Sequence, residues 1–193
     1  EDYKEFGQKC GIPIKTANYS SEDGTFNSDN EYLTIINTAR VKRMDLLEYY
    51  DSRKNILDIE RSTLFLLAEE LQKFKKEKGL KDFTDLLEDF IEKSLPGSLE
   101  VLFIDEAQDL SLIQWEMVRH LWKYAKKTYI AGDDDQAIFK WAGADVDHFI
   151  ALKEEVNDIK VLDQSYRIPG GPIHELSQKI INKVQNRFQK EYK

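Results

Sequence analysis

The chain has 193 residues, 41% of them hydrophobic, which is length and apolar content enough for a folded core and excludes wholesale disorder. Its 28 basic and 36 acidic residues leave a net charge of −8, which excludes coating nucleic acid by bulk charge but not a narrow track along it. One cysteine, Cys10, cannot close a disulfide or build a Cys-based zinc site, so an intracellular, cytoplasmic, reducing compartment is expected, with any metal held by oxygen.

Along the chain, residues 1–27 carry small polar residues and glycines without sustained periodicity and read as irregular with at most a short strand. Ser28 and Glu31 have capping-box spacing, and Leu33, Ile36, Val41, Met44 and Leu47 extend a helical stripe to about residue 50. Leu64, Phe65, Leu67, Leu71 and Phe74 predict a second helix over 59–78, stopped by Gly79, and Phe83, Leu86, Leu87, Phe90 and Ile91 a third over 82–93. Lys73, Lys75, Lys76, Lys78 and Lys81 read as a solvated helix end. The rhythm then changes. Apolar runs at 99–104, 128–131 and 159–162 alternate with helical stretches at 110–125 and 146–155, the pattern of βαβ units and a parallel sheet. Trp115 and Trp122 fall on one helix face, and a last helix follows Pro172. The three histidines show no ligand spacing. No apolar run approaches the ~20 residues needed to span a bilayer, so no membrane partner is expected.

Ligands of parallel α/β sheets bind beyond the carboxyl ends of the strands. The first predicted strand ends in Asp105-Glu106, a pair suited to a divided task in which one carboxylate serves a hydrated Mg²⁺ and the other deprotonates a water. The second ends in Gly132 and three aspartates. Gln136 follows, with an amide able to meet a phosphate oxygen and a water, and then Phe139 and Trp141 flank Lys140 like a stacking platform for single-stranded nucleic acid. An EF-hand reading of these aspartates fails because Ala137 stands where that pattern needs Asp or Asn. The third ends in Arg167, placed to meet charge on a transferring phosphoryl group. Taken singly, an acidic loop accounts for the acid pair equally well, while two core aromatics and a surface arginine account for the other residues better.

Taken together, DEAQD at 105–109, GDDDQAIFKWAGA at 132–144 and LDQSYR at 162–167 resemble motifs II, III and IV of the UvrD/Rep/PcrA branch of superfamily 1 DNA helicases. The DFTDLL stretch at 82–87, and Asn186-Arg187 with Lys190, are similar to segments flanking those motifs. The resemblance implies a partial RecA-like, P-loop NTPase type α/β fold: a parallel sheet flanked by helices over 81–193, with a mainly helical subdomain over 1–80 in the place of the family's 1B insertion. It implies ATP and Mg²⁺ as cofactors and 3′-to-5′ movement on single-stranded DNA. In its terms Asp105 serves the metal, Glu106 is the catalytic base, Gln136 senses the γ-phosphate, Arg167 is the arginine finger, and Phe139 and Trp141 touch bases.

Departures accompany the likeness. Ala142 replaces an arginine that reaches DNA phosphate in many relatives, Thr84 replaces an acid, and no Gly-Lys-Ser/Thr tripeptide occurs. The expectation is an internal piece of a helicase, starting at Glu1 rather than Met, whose P-loop segment and second motor domain are partners in the same polypeptide and which does not hydrolyse ATP by itself. The alternative is a non-catalytic DNA- or partner-binding module on a degenerate helicase scaffold. Gln108 argues against a DEAD-box RNA helicase, and a two-metal nuclease leaves Gln136, Trp141 and Arg167 without a task.

Overall fold

The computed structural model describes residues 1–20, 25–56, 58–166, 168 and 170–190. Arg167 and residues 21–24 therefore lie outside the described residues.

The chain opens with α1 (Asp2–Cys10), where the sequence reading expected irregular structure. Tyr3, Phe6 and Cys10 form its inward stripe, a signal interrupted by Gly7, a poor helix former. Gly7 is there for close approach, since a Cβ would stand 2.8 Å from the Ile12 carbonyl oxygen. The antiparallel pair β1 (Ala17–Tyr19) and β2 (Phe26–Ser28) follows. The single helix expected to about residue 50 is two, α2 (Glu31–Val41) and α3 (Leu46–Arg53). Ser28 belongs to β2 and donates its hydroxyl to the Thr16 carbonyl, while Asn30 caps α2 by accepting the Leu33 N–H at 3.2 Å. The break lies at Arg43, left-handed with φ 53°, and Asp45 then caps α3 through the N–H groups of Leu47 and Glu48.

The long helix α4 (Arg61–Lys78) buries Leu64, Leu67, Leu71 and Phe74 against Phe6, Leu33 and Ile36, and Gly79, with φ 65°, ends it as its spacing predicts. Each such buried side chain stabilises the fold by roughly 1.5–3 kcal/mol. α5 (Phe83–Lys93) starts from a reciprocal cap between Asp82 and Asp85. Both carboxylates also receive Lys75 Nζ at 2.7 Å, and Arg40 reaches Asp82 at 2.8 Å and Asp85 at 2.5 Å. The lysine cluster is thus not wholly solvated: Lys75 is buried. Thr84, where an acid was expected, is fully buried and donates to Asn37 Oδ1 at 3.1 Å, a site an ionised carboxylate would occupy at high cost.

β3 (Leu99–Ile104), α6 (Leu112–Trp122) and β4 (Ala125–Ile130) form a parallel unit in which Leu102 faces Thr128 and Ile104 faces Ile130. α6 is shorter than the sequence stripe because the chain turns into β4 at Ala125. Ile104 and Ile130 pack on a second cluster of Ala107, Trp115, Val118 and Leu152, while Phe103 and Tyr129 stack exposed on the opposite face. α7 (Val146–Ala151) and α8 (Pro172–Ile181) complete the described helices. The architecture is α/β. The third predicted strand is not formed among the described residues: 157–166 pairs with no strand and leaves Ile159, Val161 and Leu162 exposed. A β-rich sequence makes a strand only where a neighbouring edge completes its ladder, and residue composition alone does not carry that information.

Candidate functional site

Because β3 and β4 are parallel and in register at Ile104 and Ile130, both polar exits open on one rim. The backbones stay joined past the strands, with the Ala131 N–H bonded to the Ile104 carbonyl at 2.8 Å and the Ala107 N–H to the Ala131 carbonyl at 3.0 Å. Asp105 and Glu106 are exposed at the β3 exit. Glu106 adopts a left-handed backbone, φ 49°, which turns the chain sharply and lets its N–H donate to Asp105 Oδ1 at 2.9 Å. Non-glycine residues held in that region gather at functional sites. Among the described residues no cation lies within salt-bridge reach of either carboxylate.

Gln108, two residues on, is 1% exposed. Its amide donates to Glu106 Oε2 at 2.8 Å and Asp109 Oδ2 at 3.1 Å, and its carbonyl accepts the Asp133 N–H at 2.9 Å. The sequence reading used Gln108 only to separate helicase classes. Its position between two acids, inside a turn that must be packed, was the available signal.

At the β4 exit, Gln136 is exposed and donates to Asp133 Oδ2 at 2.7 Å. The three aspartates lie close enough together to surround a cation, but two basic side chains already serve them. Arg187 grips Asp135 in a fork, at 2.9 and 2.6 Å, and Lys190 meets Asp133 at 2.5 Å and Asp134. Burial opposes the Asp133 charge, yet Lys190 and Gln136 more than offset it and hold the carboxyl below its ordinary value. Sequence reading did not pair Arg187 and Lys190 with these aspartates, because more than fifty residues separate them.

Past the turn the two aromatics part. Phe139 is half-buried and, with Val41, Phe83 and Ala142, lines a cavity of about 40 Å³ against α2 and α5. Trp141 is 66% exposed, its ring centroid 6.4 Å from that of Phe139. Trp115 is fully buried, as expected, and Trp122 is half-buried against the same cluster. The turn carrying Trp141 abuts the end of α2, where a Cβ on Gly143 would stand 2.8 Å from Val41 Cγ2. Lys42, next along, has its ammonium pushed below the usual value by burial and then by the positive charges of Arg53 and Lys140. Asp145 opposes that shift and Lys140 is itself paired with Asp147 at 3.5 Å, so both signs of charge surround Trp141.

As a donor set, Asp105 and Glu106 offer hard carboxylate oxygens that no cation holds among the described residues. That fits a hydrated Mg²⁺, which takes few protein ligands, better than it fits a softer metal.

The structure thus places an acid pair and a glycine–aspartate turn at neighbouring strand exits, bridged by a buried glutamine, with an exposed tryptophan beyond them. The chain matches the UvrD/REP helicase N-terminal domain over residues 8–157 and belongs to that family. Among individual proteins it is similar to ATP-dependent DNA helicase Rep of Escherichia coli (strain K12), at 33% identity over 82 residues, 42% of this chain and 12% of that protein. It is also similar to the probable DNA helicase II homolog of Rickettsia conorii, at 32% over 136 residues, 65% of this chain and 21% of that protein. ATP-dependent DNA helicase PcrA of Staphylococcus epidermidis (strain ATCC 12228) is 27% identical over 128 residues, 61% of this chain and 18% of that protein. The chain thus spans about a fifth or less of the length of these relatives. No helix among the described residues is long and apolar enough to cross a membrane.

Proposed function

We propose that this chain is the part of an ATP-dependent DNA helicase in which nucleotide meets the strand-tracking surface, in a protein that moves 3′ to 5′ on single-stranded DNA. Residues 81–193 are its RecA-like motor portion and residues 1–80 its helical subdomain. The P-loop and the second motor domain belong to other parts of the same polypeptide. In this reading Asp105 holds Mg²⁺, which when bound neutralises charge on the phosphates. Glu106 takes the proton of the attacking water, Gln136 reads the γ-phosphate, and Arg167 serves as the arginine finger. Trp141 and Phe139 meet the bases beside the end of α2.

One observation carries this reading. Among the described residues, Asp105 and Glu106 stand exposed with no cation in salt-bridge reach at the exit of β3, beside the exit that bears Gln136. The acids at the head of α5 and those after β4 are instead met by lysine or arginine. The deciding experiment is Glu106→Gln in the complete helicase. ATP binding should stay near normal while hydrolysis falls by roughly 10²–10⁴-fold, the contribution of a general base. Retained hydrolysis removes the assignment. The 193-residue chain alone, with no Gly-Lys-Ser/Thr tripeptide to cradle phosphates, should turn over ATP far below ~1 s⁻¹.

A further inference from the structure

We infer that Gln108 is a positioning residue, its buried carboxamide linking the Glu106 carboxylate to the turn after β4 so that the two strand exits move as one piece. The inference rests on the reading of Glu106 as the base. A carboxamide has two N–H donors and an acceptor oxygen, and here all three functions are engaged: Glu106 and Asp109 take the donors, and the Asp133 N–H meets the acceptor. The partners also fix its orientation. Flipped, the amide would turn its carbonyl onto two carboxylates and its NH₂ onto an N–H, losing every bond. Burial at 1% exposure denies water as a substitute.

Gly132 makes the link possible. A Cβ there would stand 2.8 Å from Gln108 Oε1 and 2.8 Å from Phe149 Cζ, so the turn approaches this closely only without a side chain. The connection continues outward. Gln136 bonds Asp133, whose N–H bonds Gln108, which bonds Glu106, so three hydrogen bonds join the residue assigned to the γ-phosphate with the residue assigned to the water. A displacement of Gln136 thereby has a direct mechanical route to the base.

Two variants test the link from opposite sides. Gln108→Met keeps the length and removes every hydrogen bond; Gly132→Ala leaves Gln108 in place and drives its oxygen away. Amide exchange followed by NMR on the 193-residue chain should quicken at Asp133 by about tenfold or more in both, the equivalent of one lost hydrogen bond. Trp115 fluorescence should stay that of a buried ring and so report an intact second cluster. In the complete helicase both variants should lower kcat for DNA-stimulated ATP hydrolysis by roughly 10–100-fold, with KM for ATP within about threefold, the mark of a misaligned group rather than of lost binding. Unchanged Asp133 exchange in both variants overturns the link. Quickened exchange with unchanged kcat overturns its role in positioning. Hydrolysis retained by Glu106→Gln instead removes the base, and the positioning role with it, while leaving the exchange result intact.

Discussion

Asp82 and Asp85 at the head of α5, and Asp105 and Glu106 at the end of β3, are acidic pairs in similar local settings, each at the entry to a helical turn. The first pair is half-buried and closed by Lys75 and Arg40, whereas the second is exposed with no cation in reach among the described residues. Placing a carboxylate is therefore separable from neutralising it. Where the fold supplies the counter-charge, the acid holds two elements together; where it does not, the acid stays exposed. The Asp133–Asp135 turn lies between these cases, since its charges are met from the far C-terminal segment by Arg187 and Lys190.

The sharpest break of this comparison is Lys75→Met set against Asp105→Asn. Removing the buried Lys75 leaves the half-buried Asp82 and Asp85 with one cation fewer, and breaking a fully buried pair costs about 3–5 kcal/mol. Arg40 remains, which puts the expected loss at the lower end of that range. Asp105→Asn touches no ion pair and should shift stability by less than about 0.5 kcal/mol. Urea unfolding of the 193-residue chain measures both, and similar losses in the two variants would erase the distinction.

Acid titration gives a smaller effect that sorts the same groups. Burial opposes the Asp82 charge, but Arg40 and Lys75 outweigh it and hold the carboxyl below its ordinary value. Asp133 is likewise held low. A lowered carboxyl pKa contributes stability that is complete above the unfolded value near 4 and is lost as pH falls through the folded value. His148 behaves differently. Burial first, and then the Arg119 charge, hold its ring below the usual value against the opposing pull of Asp145 and Glu155. Its neutral form is favoured by folding, so its contribution is complete above about pH 6.5 and erodes below that. Unfolding free energy measured from pH 8 to 3 should therefore fall in a shallow step beginning near 6.5 and a steeper one below about 4. His148→Gln should remove the first step only and Lys75→Met should shrink the second; a profile untouched by either variant contradicts the assignments.

Most of the helical framework was legible because amphipathic stripes and caps are local. α4, its Gly79 stop, α5 and β3 follow directly from spacing. The failures share one physical origin. Lys75, Arg187 and Lys190 are surface-type residues whose burial is decided by carboxylates elsewhere in the chain, and 159–162 has strand composition without a neighbouring edge. At the candidate site, Asp105, Glu106 and Gln136 were legible as strand exits. Gln108 was not, because its importance lies in a bond to a backbone N–H twenty-five residues away.

The two tryptophans restate the contrast in apolar terms, and Trp141 carries the smallest expected effect on stability. Trp115 is fully buried, stacked against His148 at 4.9 Å, so truncating it would cost roughly 3–5 kcal/mol and report only on the core. Trp141 is mostly exposed at the tip of a turn that opens beside Lys42 and Lys140, so Trp141→Ala should change unfolding free energy by less than about 0.5 kcal/mol. Binding is where its loss should appear. A base stacked on an aromatic ring contributes roughly 1–3 kcal/mol, so affinity of the complete helicase for single-stranded DNA should weaken by about 5–150-fold at fixed salt. Fluorescence-polarisation titration with an oligonucleotide reads that directly. Unchanged affinity with lost stability would return Trp141 to the core, and unchanged affinity with unchanged stability would leave the ring without a role at the DNA.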